Sequence, residues 1–245
     1  QLLRLRLGLL LVFRTNNSYQ RLAEARQLWG KAVFLVREAA QSVASTLLYD
    51  PEVPEPEAAR DAAGAVCRYL AAYGWELNSK LTYGTKPGER TEVLETLLPP
   101  TEAAWMASQR HRPLQLLSAA RRVLQAQFRN GNLPSHMHRK LEEDFRELDL
   151  VVGGCERLFA SPVPPTMSRH AVRCLLLWLL TLPLVLAGTM APVACALWTF
   201  VVSYIFIGIE EVGVQVEQPF EIVPMTQLCN VIQSNLEESF AAAPR

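Results

Sequence analysis

LRLGLLLVFRTNNSYQRLAEARQLWG, residues 5 to 30, decides how the rest of the chain is read. Its apolar half, Leu5 to Phe13 with Leu7, Leu9, Leu10, Leu11 and Val12 between, stops at Arg14. A polar patch follows, Thr15, Asn16, Asn17 and Ser18, and an amphipathic pattern then runs to Trp29. Leu5, Leu9 and Phe13 are four residues apart, so they fall on one face of a helix. Taken alone, such a stripe is also what a buried seam of an α-bundle shows. Leu22, Ala25, Leu28, Trp29, Ala32, Val33 and Val36 keep the same spacing, which predicts one long helix passing from an apolar region into water.

The second informative run is residues 174 to 209, which contains no Asp, Glu, Lys or Arg. As one helix it would extend about 54 Å at 1.5 Å per residue, whereas the hydrocarbon core of a bilayer is about 30 Å thick. Two spans joined by Ala187-Gly188-Thr189-Met190-Ala191-Pro192 fit that thickness. A hairpin buried in a soluble protein is the alternative, and so long a charge-free run disfavours it. The hairpin places Arg169, His170 and Arg173 on the same side as Glu210 and Glu211. By the positive-inside tendency, the water-soluble helices then lie on the cytosolic side or its organellar equivalent. Carboxylates at the end of a span need a partner. Arg14 and Arg26 are the candidates, and two solvated carboxylates are the alternative.

Between these regions the chain reads as helices and loops. Asp50 to Glu57, with three prolines, predicts an exposed acidic loop. A helix over 58–79 carries Ala62, Val66, Tyr69, Leu70, Tyr73 and Leu77 on one face, and 81–91 reads as a polar loop. Short helices over 92–98 and 101–108 follow, the latter with Thr101 as N-cap after two prolines. The next runs from Pro113 to about Gln127 and stops at Asn130-Gly131. Ser135 is read as the cap of a helix through Gly153 bearing Met137, Leu141, Phe145, Leu148, Val151 and Val152.

The 245 residues, half of them hydrophobic, suffice for a large core. Lys plus Arg and Asp plus Glu number 24 each, which leaves no electrostatic footprint for nucleic acid. Five cysteines, Cys67, Cys155, Cys174, Cys195 and Cys229, are scattered without metal-ligand spacing and read as reduced packing residues. No HExxH, phosphate-binding glycine loop or arguable Ser-His-Asp set is present, so the reading is not an enzyme, with no catalytic residues. His136, His138 and Glu142 could meet on one helix face as metal ligands, but three such residues on a polar helix are more often solvated, so no metal is assigned. Asn16-Asn17-Ser18 fits a glycosylation sequon and is discounted at a membrane edge. The chain begins with Gln and shows no signal or transit peptide, which suggests that an N-terminal piece is missing.

Three motifs carry a family resemblance. Phe13, Arg14, Asn16, Ser18, Tyr19, Arg21, Ala25, Arg26, Trp29 and Gly30 stand where the first signature of the bestrophin family of anion channels has them. Residues 155 to 170, CERLFASPVPPTMSRH, resemble the family's CER…SP-V-P element, with an ending like that of its chloroplast branch. Glu210, Glu211, Gly213, Glu217, Pro219 and Phe220, followed by Leu228-Cys229, resemble its third signature.

The resemblance implies an all-α membrane protein: a bestrophin-like channel subunit with transmembrane helices and a soluble helical bundle, lacking the family's first transmembrane helix. It implies one bestrophin-like domain over 1–245, divided into a neck helix and the start of its soluble extension (1–30), a soluble helical region (31–166), a transmembrane hairpin (167–209) and a soluble tail (210–245). The implied partners are four further copies in a homopentamer, the lipid membrane, and permeant chloride or bicarbonate. The implied membrane is the thylakoid, with the soluble part in the stroma. By the same resemblance Leu5, Leu9 and Phe13 form the hydrophobic neck, Leu133 and His136 a soluble-side constriction, and Arg14, Asn16, Arg26, Glu210 and Glu211 the polar signature residues.

The chain departs from the family in two places. Animal bestrophins carry an acidic run after the Pro-Phe element that helps bind calcium, whereas Glu221-Ile222-Val223-Pro224-Met225 stands here. Calcium takes six to eight oxygen ligands, so no cofactor and no calcium site is expected. Arg4 and Arg6 interrupt the apolar start, and they favour the rival reading of a non-conducting membrane scaffold that keeps the fold. Chemistry does favour anions at such a neck. Apolar rings hold no carboxylate to bind a cation, the edges of Phe13 are the positive end of its quadrupole, and narrow apolar rings gate by dewetting.

Overall fold

A computed structural model describes residues 2–82, 92–161 and 165–241, with the side chains of residues 2–11, 165 and 167 outside the description. The polar loop expected over 81–91 falls almost wholly outside these residues, as do the side chains of Arg4, Arg6, Leu5 and Leu9. Among the described residues there are ten α-helices and no strand, so the all-α expectation holds. They are α1 (Leu2–Leu47), α2 (Pro56–Leu81), α3 (Glu92–Leu97), α4 (Pro100–Ala107), α5 (Arg112–Arg129), α6 (Ser135–Ala160), α7 (Pro165–Leu186), α8 (Pro192–Gln215), α9 (Pro219–Ile222) and α10 (Met225–Ala241). The chain forms two compact units, residues 1–25 with 158–223, and residues 26–157 with 224–245.

The second unit is a helical bundle. Trp29, Ala32, Val36, Ala39, Ala40 and Val43 of α1 are fully buried, three or four residues apart, as a core-facing stripe requires. The face of α2 predicted above is buried throughout, and Leu116, Leu117 and Leu124 of α5 and Phe145 and Leu148 of α6 complete the interior. Burial pushes the thiols of Cys67 and Cys229 up to about 12. Tyr73 keeps its hydroxyl satisfied inside by donating to the Leu148 carbonyl at 3.4 Å. The segment after Phe220, read only as a tail, forms α10. Its Met225, Cys229, Ile232 and Leu236 are buried, and the Cys229 thiol donates to the Gly74 carbonyl of α2 at 3.2 Å.

The structure departs from the local sequence signals in four places. The helix predicted to stop at Gly153 runs on to Ala160. A Cβ on Gly154 would lie 2.9 Å from Leu28 Cδ2, so this glycine allows two helices to approach closely and is not a stop. By contrast Gly131, at φ 81°, takes the left-handed conformation that ends α5 as expected. Neither expected cap holds. Pro100 opens α4, which puts Thr101 inside it, and Pro134 accepts the first bond of α6, from His138 N. The acidic loop is shorter than predicted and not wholly exposed: Pro56 occupies the first turn of α2, where its missing N–H costs nothing, and Val53 is buried.

In the first unit α7 and α8 form the predicted hairpin, joined over 187–191. Leu175 and Leu179 form its small core with Trp178, Val202 and Phe206, and the Trp178 and Phe206 rings lie 5.2 Å apart. Leu182 and Cys195 are also buried, but many of its other apolar side chains face outward. Leu177, Leu180, Leu184, Val193, Leu197, Phe200 and Tyr204 are all more than half exposed. Ser168–Leu186 and Pro192–Gln215 are each long and apolar enough to cross a membrane.

Candidate functional site

The site is built on α1 where it leaves its apolar half. At about 100° per residue, Arg14, Ser18, Arg21 and Ala25 share one side of the helix, and Phe13, Asn16, Asn17 and Gln20 share another. The first set is inward: Ser18 and Ala25 are buried and Arg14 and Arg21 are partly so. The second set is exposed, Phe13 at 59%. Leu5 and Leu9 precede Phe13 at four-residue steps on the same continuous helix.

Two arginines fix the inward side. Arg14 Nη1 donates to and pairs with Glu210 near the end of α8, and its Nη2 lies 3.4 Å from Glu217 Oε2 in the turn beyond. The three side chains are 11%, 11% and 18% exposed. Ser168 Oγ of α7 reaches Glu217 Oε1 at 3.4 Å, so one cluster ties α1, α7 and the end of α8. Two turns along, Arg21 donates to the carbonyls of Leu158 at 2.7 Å and Ser161 at 2.8 Å. These are carbonyls left free at the C-terminus of α6, where a cation also complements the helix dipole.

The two readings of the paired acids divide between neighbours. Glu210 is buried and holds Arg14; Glu211 is exposed, on a groove of about 810 Å³ along α8 with Thr15, Phe200, Tyr204 and Gly208. Arg26 is exposed and forms no ion pair among the described residues, and Asn16 is exposed. The sequence motifs contain Glu217 and Arg21 but do not announce these roles. Glu217 lies seven residues after Glu210, a spacing that could have suggested a shared face; the partners of Arg21 are backbone carbonyls, which no residue type announces.

The two residues of the other expected constriction differ in exposure: Leu133 is 2% exposed and packed inside its own unit, and His136, three residues on, is exposed. His136, His138 and Glu142 do not converge: His138 stacks on Phe128 at 4.6 Å and Glu142 lies 3.3 Å from Arg121. Among the described residues no group of three or more His, Cys, Asp or Glu could hold a metal ion. Ser18 of the sequon is buried within α1.

A family model described as Bacterial/Fungal Bestrophin protein matches residues 1–238. The chain belongs to the bestrophin family. Among bestrophin relatives, the voltage-dependent anion channel-forming protein of Synechocystis is 28% identical over 97% of this chain and 76% of its own length. The chloroplastic voltage-dependent chloride channel 2 of Arabidopsis thaliana is 30% identical over 95% of this chain and 53% of its own. The chain therefore spans about half of that chloroplastic relative. A crystal structure of a mutated bestrophin homolog from Klebsiella pneumoniae superposes with a TM-score of 0.87 at 26% identity, covering 98% of this chain and 85% of that one.

Proposed function

We propose that the protein is a subunit of a passive anion channel, a homopentamer that conducts chloride or bicarbonate through a hydrophobic neck formed by Leu5, Leu9 and Phe13. The observation that carries this reading is the exposed Phe13 on a helix that Arg14, about 100° round its axis, fixes to the hairpin. A single subunit presents one such stripe and cannot enclose a pore, so copies must surround it. The relatives named as anion and chloride channels support the ion class. The outward apolar side chains of α7 and α8 suit lipid or a neighbouring copy, since hydrocarbon removes their hydration cost. The proposed membrane is the thylakoid, crossed more than once, with the soluble part in the stroma. His136 is the member of the second constriction that keeps a surface to present. No covalent step is involved, and no calcium ligation is assigned to the segment after Phe220.

The test is efflux from liposomes loaded with chloride or bicarbonate and containing the full-length protein, together with its mass in mild detergent. A pentameric mass and anion efflux that needs no calcium are the expected results. Monomers or dimers only, efflux that appears only on adding calcium, or no anion efflux would each overturn the corresponding part of the proposal.

A further inference from the structure

The Arg14 cluster has a geometric consequence for the residue beside it. Phe13 precedes Arg14, so their side chains leave α1 about 100° apart. Any rotation of the helix about its axis moves both together. Arg14 is held by carboxylates from two positions, Glu210 and Glu217, and Glu217 also accepts from Ser168. A planar guanidinium bridging two carboxylates is fixed in direction as well as distance. Arg21, on the same side of the helix two turns along, is fixed by two carbonyls. The helix is thus gripped twice on one side, and the stripe carrying Phe13 is held on the other.

Resting on the pore reading above, we propose that Arg14, Glu210 and Glu217 are positioning residues that set the rotation of α1, and with it the angle at which Phe13 faces the lumen. Glu210 is the inner hold and Glu217, more exposed and at 3.4 Å, the outer and adjustable one. Loss of the outer hold loosens the rotation of the helix without stranding a charge, because Arg14 keeps Glu210. Loss of Glu210 alone leaves Arg14 largely buried with only the outer partner, and it harms folding as well as position. The two carboxylates are therefore predicted to differ in kind as well as in size of effect.

The experiment uses the full-length protein with Phe13→Cys as reporter on a Cys174→Ser background, labelled by a negatively charged, membrane-impermeant thiol reagent. Labelling reads the orientation of position 13 whether or not ions flow, so a protein that conducts nothing would sink the channel reading and still test this one. Glu210→Gln and Arg14→Gln are compared with the double variant Arg14→Gln/Glu210→Gln, and Glu217→Gln is measured separately. The double variant removes the stranded charge, so its assembly and unfolding temperature are expected to recover relative to the single variants. Its labelling rate is nevertheless expected to fall about tenfold or more from that of the parent, tenfold being the lower end of what loss of a hydrogen bond between charged groups gives. Glu217→Gln is expected to shift labelling in the same direction by a smaller factor with assembly intact, and to alter the voltage response of anion flux where Phe13 is native. Parental labelling in a stable double variant would make the cluster merely structural and overturn the proposal. Should the double variant fail to assemble, unchanged labelling in Glu217→Gln would overturn it equally.

Discussion

Helices α2 and α8 are of similar length, 26 and 24 residues, and both are rich in apolar side chains, yet they are buried in opposite senses. In α2 the buried residues include Val66, Leu70, Tyr73 and Leu77, with alanines between them that let neighbouring helices approach. In α8 the buried residues are Cys195, Glu210 and Gly213, while Val193, Leu197, Phe200, Tyr204 and Ile205 stand exposed. The solvated helix hides its hydrophobes; the other hides a carboxylate and shows its hydrophobes. Water does not stabilise the second arrangement, because each exposed aliphatic or aromatic side chain forgoes roughly 1.5–3 kcal/mol of burial. Hydrocarbon does, and in hydrocarbon a buried Glu210 must be paired, as it is with Arg14.

The contrast can be broken first by truncation. Phe145→Ala, in the bundle core, should cost about 3–5 kcal/mol, whereas Leu184→Ala, exposed at 77% on α7, should stay within about 0.5 kcal/mol. Denaturant unfolding in mild detergent compares the two, and equal losses would show that the hairpin is packed like the bundle.

A charge sharpens it further. Leu180→Arg, 73% exposed in the middle of α7, should cost about 2.5–3.5 kcal/mol of membrane insertion. Leu150→Arg, 58% exposed on α6, should change stability by no more than about 0.5 kcal/mol. Extraction from membranes at alkaline pH reads the first and thermal unfolding the second. Tolerance of arginine at 180 would place that face in water.

The smallest effect is confined to high pH. Burial raises Cys67 and Cys229 from 9.0 to about 12, and it raises Tyr69 from 10.0 to about 12, aided by its hydrogen bond to Glu102. The folded state therefore keeps protons that the unfolded chain releases. This contribution is complete below pH 9 and is lost as pH rises from 9 towards 12. Cys67→Ala should flatten the fall in stability above pH 9, measured as melting temperature against pH; an unchanged slope would mean the thiol is solvated.

Much of this was legible because it depends on runs of residues. Thirty-six positions without a charge announce the hairpin, and the spacing from Leu5 to Val36 announces one continuous helix. Glu210 was legible as an acid in need of a partner and Arg14 as one of two candidates, but the choice against Arg26 depends on which side of α1 faces the hairpin. What stayed hidden depends on the neighbour. Gly154 reads as a stop until Leu28 is packed against it. Leu133 and His136 are three residues apart, and only the three-dimensional core separates the buried leucine from the exposed histidine.

Anion efflux from liposomes containing the full-length protein with Phe13→Ala or Val12→Ala tests the central claim most directly. The two side chains are adjacent and similarly exposed, at 59% and 65%, but only Phe13 continues the stripe from Leu5 and Leu9. Phe13→Ala should raise anion flux or weaken its voltage dependence and leave the assembled mass unchanged, while Val12→Ala should leave flux per assembled channel near that of the parent. Equal effects of the two substitutions on flux would contradict the account, because the stripe would then be packing surface and not the wall of a pore.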